Sequence, residues 1–391
     1  MQSISQTQAA LLAFLAKALF QKQVNITVTD WKALYREANA HKVFPCVFEV
    51  TKSYVEDEAL LEKSAKFARH CVAKTVAINY AHAELHRTLS VHGIPYVAFK
   101  GLASSLYYPQ PELRTAGDVD FYVNPADFAA CENALKENGY IFTETGNRHV
   151  VYQKNGEVLE LHHTLNGIPA NAVGSQIEAD VFGDLVKTAV AHTDGQGTVM
   201  LPDTFHHGMI LLLHTLSHMM QEGIGLRHLC DWAVFASSLS DEAFTALFET
   251  KLKACGLWRF AQLLSLCAVR YLGAPARAWQ GAAEDALLQN MMCDIMSAGN
   301  FGEKDKDRKG QIKYIANRGE FVQSKGSVIV QAKQSLNKKA ALEHKSKAAV
   351  VAEYIKNVLS GKRKPDTAKT LENAAERKAI YSEFHLFEID K

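Results

Sequence analysis

The chain has 391 residues, 48% hydrophobic and 22% charged, enough for two or three domains with a sizeable core. A formal net charge of +1 provides no global field to draw it to nucleic acid or to a membrane. Seven cysteines, scattered and never in a Cys-x-x-Cys pair, speak against a disulfide framework or a zinc site and for reduced thiols in the cytoplasm.

Residues 1–92 read as helices. The apolar run from Ala9 to Phe20 is interrupted by Lys17 and lacks a basic leader and a cleavage site. Leu11, Leu12, Leu15 and Leu19 repeat at helical spacing, so this run is expected to be a core helix. Asp30 is placed to cap a helix that starts at Trp31, and Pro45 breaks the next turn. A long helix is expected from Asp57 to Val91, with Gly93 as its stop. No stretch is long and apolar enough to span a bilayer.

Residues 94–123 then read as strand, Gly-led turn, short helix, polar loop and strand. The second strand opens with Asp118-Val119-Asp120. Side chains two apart on a strand share a face, so both carboxylates leave one side of a sheet. Two aspartates held that close raise each other's pKa unless a cation intervenes, and an oxygen-loving divalent ion such as Mg²⁺ meets that need. The bland alternative is a solvated surface pair. The apolar run Phe121-Tyr122-Val123 behind it argues for a buried strand. Lys100, Gly101 and Arg114 precede the pair at spacings that bring cations and backbone N–H groups to the same place, the parts that hold a triphosphate.

Pro125 begins a helix to about Asn138 that Gly139 ends, and a strand follows at 140–143. Asn155-Gly156 between the alternating runs 150–154 and 158–162 marks a hairpin. Its second strand carries Glu160 between Leu159 and Leu161, with His162 on the same face; the alternative is an exposed glutamate on an edge strand. A second hairpin is expected around Asp194–Gly197.

From Pro202 the pattern returns to helix. His214 and His218 lie four apart on one helical face, but the Glu of His-Glu-x-x-His is absent, which favours core or substrate-cleft histidines over a metal site. Arg227 and Asp231, also four apart, are placed for a salt bridge that pins this helix or contacts substrate. Two further amphipathic helices fill 241–273. The last stretch is rich in lysine, with Lys338-Lys339, Lys345, Lys347 and Lys362-Arg363-Lys364; a solvated face suits it better than RNA, since no nucleic-acid motif accompanies it.

The Gly-led helix, the loop and the hydrophobic-Asp-hydrophobic-Asp strand resemble the nucleotidyltransferase superfamily signature. Phe99-Lys100-Gly101, Leu113-Arg114 and Gly117–Asp120 more narrowly resemble a bacterial uncharacterised nucleotidyltransferase family, the NTP transferase 5 group, over about residues 10–290. One departure from the wider superfamily is Lys100-Gly101 in place of its Gly-Ser pair, with Ser104 and Ser105 a turn later. The resemblance implies an α+β fold: a small mixed β-sheet core at 93–200, flanked by N-terminal helices at 1–92 and an all-helical domain at 201–300, with a basic, mostly helical region at 301–391. It implies transfer of NMP from an NTP to an acceptor hydroxyl. Asp118, Asp120 and Glu160 would hold Mg²⁺ or Mn²⁺; Lys100, Gly101, Ser104, Ser105 and Arg114 would meet the nucleotide, unless Arg114 steadies the loop instead; His162, His214, His218, Arg227 and Asp231 would line the cleft. Protein, RNA, sugar and small-molecule acceptors all stay open, as do γ-phosphoryl transfer and a non-catalytic, nucleotide- or partner-binding role. Removing either aspartate is expected to cost little stability.

Overall fold

The sequence punctuates its helices with side-chain caps, and the computed structural model shows them in place; it describes residues 3–146, 149–164, 168, 172–305, 308 and 367–387. Ser5 and Gln8 form a reciprocal capping box at the start of α1 (Gln6–Phe20). Asp30 caps α2 (Trp31–Ala40), and Asp57 caps the 34-residue α4 (Glu58–Val91), accepting from the N–H groups of Ala33 and Leu60. Between them lies α3 (Phe44–Thr51), with Pro45 in its first turn. Gly93, at φ +63°, follows α4.

The strands are β1 (Tyr96–Phe99), β2 (Val119–Val123), β3 (Ile141–Thr145), β4 (His149–Lys154) and β5 (Glu157–His162), with α5 (Gly101–Ser105) after β1 and α6 (Phe128–Glu137) after β2. Their order across the sheet is β1-β2-β5-β4-β3. Only β2 and β5 run parallel; the other three pairings are antiparallel. The chain is therefore an α+β protein with a mixed sheet. Asn155 and Gly156 both take positive φ, 53° and 88°, the turn that the Asn-Gly pair predicts.

Residues opposite one another on paired strands share a face. Val119, Phe121, Val123, Leu159, Leu161, Val150 and Tyr152 turn to one side and pack with Ile78, Ala81, Leu85 and Leu89 of α4 and with α6. The other face carries Phe99, Asp120, Glu160, His162 and His149, by the registers Phe99↔Asp120, Asp120↔Glu160 and His149↔His162. After α7 (Ala172–Phe182), the hairpin β6 (Val190–Asp194) and β7 (Gly197–Leu201) leans on α4. A Cβ on Gly197 would fall 2.7 Å from the Cβ of Ala83.

A larger core gathers α8 (Thr204–Met220), α9 (Leu226–Ser237), α10 (Asp241–Phe244), a π-helical turn (Thr245–Glu249), α11 (Thr250–Ala254), α12 (Trp258–Leu272) and α13 (Asp285–Ala298). Helices α1, α2 and α3 join this core, and so does the first half of α4 through Ala68, Leu60, Leu61 and Ala65. The 1–92 segment is thus divided between two cores. Helix α14 (Thr367–Ser382) returns to α13, where buried Asp294 accepts from Arg308 Nη1 (2.8 Å) and Arg377 Nε (2.9 Å), with the Tyr381 hydroxyl 2.9 Å from its other oxygen. The lysine-rich runs at 338–364 lie outside the described residues. No helix among the described residues is long and apolar enough to cross a membrane.

Candidate active site

Lys100 forms the corner between β1 and α5, and its backbone takes φ 60° and ψ −118°. A side-chain-bearing residue there is strained, and such strain persists only where the surroundings fix it. The demand falls on Lys100 rather than on Gly101, where an added Cβ would meet only the Asp118 carbonyl at an ordinary 3.7 Å. The corner aims the Lys100 ammonium at Asp120, 2.6 Å from Oδ1. His162 Nε2 donates to the same oxygen at 2.7 Å. Burial alone would raise the Asp120 carboxyl, but Lys100 and His162 outweigh it and hold the group well below the usual carboxylate range. Asp120 is therefore a paired, buried anion, which overturns the expectation that its removal costs little.

Asp118 lies two residues earlier, just before β2, and has the opposite character. Repulsion from Asp120, then burial, with Glu160 adding, push its carboxyl up to about 6 against the pull of Lys100 and Arg227. Glu160 sits half-buried, in register with Asp120 on the neighbouring parallel strand. Its Oε2 is 3.3 Å from His149 Nδ1 and 3.4 Å from His162 Nε2. Asp120 and Glu160 both raise the Asp118 carboxyl, so the pocket is acidic, and among the described residues the group with donor atoms within 4.8 Å of one another is His149, Glu160 and His162. Carboxylate and imidazole donors of this kind suit a divalent cation.

The loop from Leu106 to Asp118 is held from three sides. Arg114 is buried and meets Asp231 of α9 in a two-pronged pair, Nε to Oδ1 at 3.0 Å and Nη2 to Oδ2 at 2.6 Å. The Tyr108 hydroxyl donates to Oδ1 of the same carboxylate at 2.7 Å. Thr115 Oγ1 donates to the Lys42 carbonyl at 2.8 Å. One sequence expectation is corrected here. Asp231 pairs with Arg114 and not with Arg227, because a buried fork-to-carboxylate contact outweighs an i,i+4 pair. Arg114, with its fork so engaged, is placed to steady the loop, one of the two roles its position allows.

Arg227 donates from Nη1 to the Thr115 carbonyl at 3.2 Å and lies over the Phe301 ring, 5.7 Å from its centre. No carboxylate among the described residues pairs with it, and burial followed by the neighbouring Arg114 lowers its pKa. His214, His218 and His228 cluster beside it with ring centres 4.4–5.8 Å apart. Burial, then the charge of Lys100, keep His214 neutral. Ser105 Oγ donates to the Leu102 carbonyl at 2.8 Å, while the buried Ser104 Oγ has no partner.

Residues 27–273 match a protein family described as an uncharacterised nucleotidyltransferase. The chain belongs to that family. The matched span is narrower than the resemblance first suggested, leaving out α1 and α13 but taking in the whole sheet, α8, α9 and α12. No curated protein matches the chain. The family's description supports an enzyme of nucleotidyl transfer.

Sequence reasoning missed two parts of this arrangement. His149 faces His162 and Glu160, and the hairpin could have revealed it: a two-residue turn at 155–156 pairs Lys154 with Glu157 and, five steps back, His149 with His162. Tyr108 carries no such signal, since its partner Asp231 lies 123 residues away.

Proposed function

We propose that the protein moves the NMP group of an NTP onto an acceptor hydroxyl and releases pyrophosphate, using Asp118, Asp120 and Glu160 as its acidic centre. The observation that carries this reading is the register Asp120↔Glu160 on adjacent parallel strands, with Asp118 arriving from the loop beside them. Asp118, Asp120 and Glu160 would hold Mg²⁺ or Mn²⁺. Such ions, when bound, activate the acceptor oxygen and neutralise the leaving pyrophosphate.

The chain's own residues supply the rest. Lys100 is a mobile point charge anchored on a rigid corner; once Asp120 turns to another cation, its ammonium is free to meet a phosphate oxygen. Arg227, half-buried and without a carboxylate partner among the described residues, is suited to an anionic group of the substrate or acceptor. Gly101, Ser104 and Ser105 bring α5 up to the nucleotide, with the unpaired Ser104 hydroxyl available to it. Arg114 and Asp231 act at one remove by fixing the loop that delivers Asp118. His162 holds Asp120, and His214, kept neutral by burial, stands with His218 in the cleft wall.

The test uses α-labelled and γ-labelled NTPs with Mg²⁺ or Mn²⁺ and pools of protein, RNA, sugar and small-molecule acceptors. Label from the α position should enter an acceptor as pyrophosphate appears. NDP as the product would instead establish γ-phosphoryl transfer. If the protein binds no NTP with either metal, or if binding is indifferent to Asp120→Ala, the enzymatic reading fails.

A further inference from the structure

Three side chains on the neighbouring strands β4 and β5 form a set that the acidic centre alone does not explain. His149 Nδ1, Glu160 Oε2 and His162 Nε2 all lie within 4.8 Å of one another. Glu160 Oε2 is 3.3 Å from His149 Nδ1 and 3.4 Å from His162 Nε2. Ligands on one dication at about 2.1 Å are about 3.0–3.4 Å apart in octahedral or tetrahedral geometry, so the set already has nearly the required spacing. Asp120 Oδ1 lies 2.7 Å from His162 Nε2, beside the set and held by Lys100.

The backbone holds this arrangement. His149↔His162 and Val151↔Glu160 are ladder partners on antiparallel strands, so all three ligands project from one face of a hydrogen-bonded sheet. To receive an ion, His162 must move its ring proton from Nε2 to Nδ1 and release Asp120, which leaves the Nε2 lone pair for the metal. The donor chemistry then selects among ions. Mg²⁺ and Ca²⁺ favour all-oxygen shells, whereas imidazole nitrogen suits the later first-row dications.

We propose that His149, Glu160 and His162, with Asp120 beside them, bind a first-row transition-metal dication in preference to Mg²⁺. This rests on the transferase reading for its place in catalysis, since Glu160 and Asp120 belong to both, but the binding itself is measurable without nucleotide. His149 is the discriminating residue because it lies outside the three-carboxylate set.

The experiment titrates metal-free protein with Co²⁺ and with Mg²⁺ by calorimetry, and follows the visible absorption of Co²⁺ for nitrogen ligation. The parent should bind Co²⁺ at least about tenfold tighter than Mg²⁺. His149→Ala should weaken Co²⁺ by about 10–100-fold and change Mg²⁺ by less than about twofold, while His192→Ala on the β6–β7 hairpin changes neither. Equal affinities for the two ions in the parent, or a Co²⁺ affinity and spectrum unchanged by His149→Ala, overturn the proposal. If thermal melts show that His149→Ala fails to fold, His149→Gln, which keeps a polar contact to Glu160, is read by the same criteria. A separate titration with NTP and Mg²⁺ distinguishes the two readings. Co²⁺ binding through His149 without NTP binding keeps this inference and sinks the transferase; NTP binding with Co²⁺ indifferent to His149 does the reverse.

Discussion

Asp118 and Asp120 are two residues apart and chemically unlike. Asp120 is buried and paired with Lys100, so Asp120→Asn strands a largely buried ammonium and should cost about 3–5 kcal/mol. Asp118 is charged against repulsion, so Asp118→Asn should stabilise the metal-free protein at pH 7 by about 1–3 kcal/mol. Both should lower turnover at least about 100-fold, because a displaced ligand misplaces the reacting groups. Denaturant melts of the two variants check the opposite signs; a common sign would refute the contrast. His207 offers a separate pH signature. It is buried among Tyr107 and Phe235 with both ring nitrogens unpartnered, and burial brings its pKa down to about 4 against the pull of Asp231. A histidine depressed in the folded state contributes its full stability above its unfolded value near 6.5 and loses it as pH falls towards 4. The loss should be about 2–3 kcal/mol at pH 4 relative to pH 7, and His207→Phe should flatten that part of the stability profile. The strand frames of Asp120 and Glu160 were legible in the sequence because each stands between apolar residues, whereas Asp118 falls just ahead of β2. The pairing of Asp120 with Lys100 was not, since it depends on the strained corner at Lys100 that no local pattern announces.

The strands and their turns were readable because alternation and Asn155-Gly156 are local signals, and local signals also set the helix starts at Asp30, Asp57 and Asp203. The loop from Leu106 to Asp118 was not readable beyond its polarity. Its anchor, Arg114 to Asp231, joins residues 117 apart, and the i,i+4 rule pointed Asp231 at the wrong arginine. The buried pair makes a strong expectation. Asp231→Ala should destabilise by about 3–5 kcal/mol by leaving the Arg114 guanidinium buried and unpaired, whereas the double replacement Arg114→Met, Asp231→Leu should cost markedly less. Urea melts of the single and double variants measure this. If the double variant retains its fold but loses NTP turnover, the pair matters for how the loop presents Asp118; if turnover is unaffected, the loop has a sufficient anchor in Thr115, since Tyr108 loses its partner with Asp231.

Across the whole molecule, a polar cluster fastens the last described helix. Asp294, Arg308, Arg377 and Tyr381 form one buried network between α13 and α14. Removing a single member leaves the others under-satisfied, so Arg377→Ala should cost about 3–5 kcal/mol and Tyr381→Phe about 1–2 kcal/mol, as read by thermal denaturation. Helix α4 is the larger tie. Its first half packs into the helical core and its second half into the sheet core. A helix is stiff over this length, about 50 Å, so neither core can melt without withdrawing support from the other. The consequence is cooperativity: calorimetry should show one transition with matching van't Hoff and calorimetric enthalpies. Ala73 lies on the exposed side of α4 between the two halves. Ala73→Pro should break the shaft there and divide the single heat-absorption peak into two, each core then melting on its own schedule.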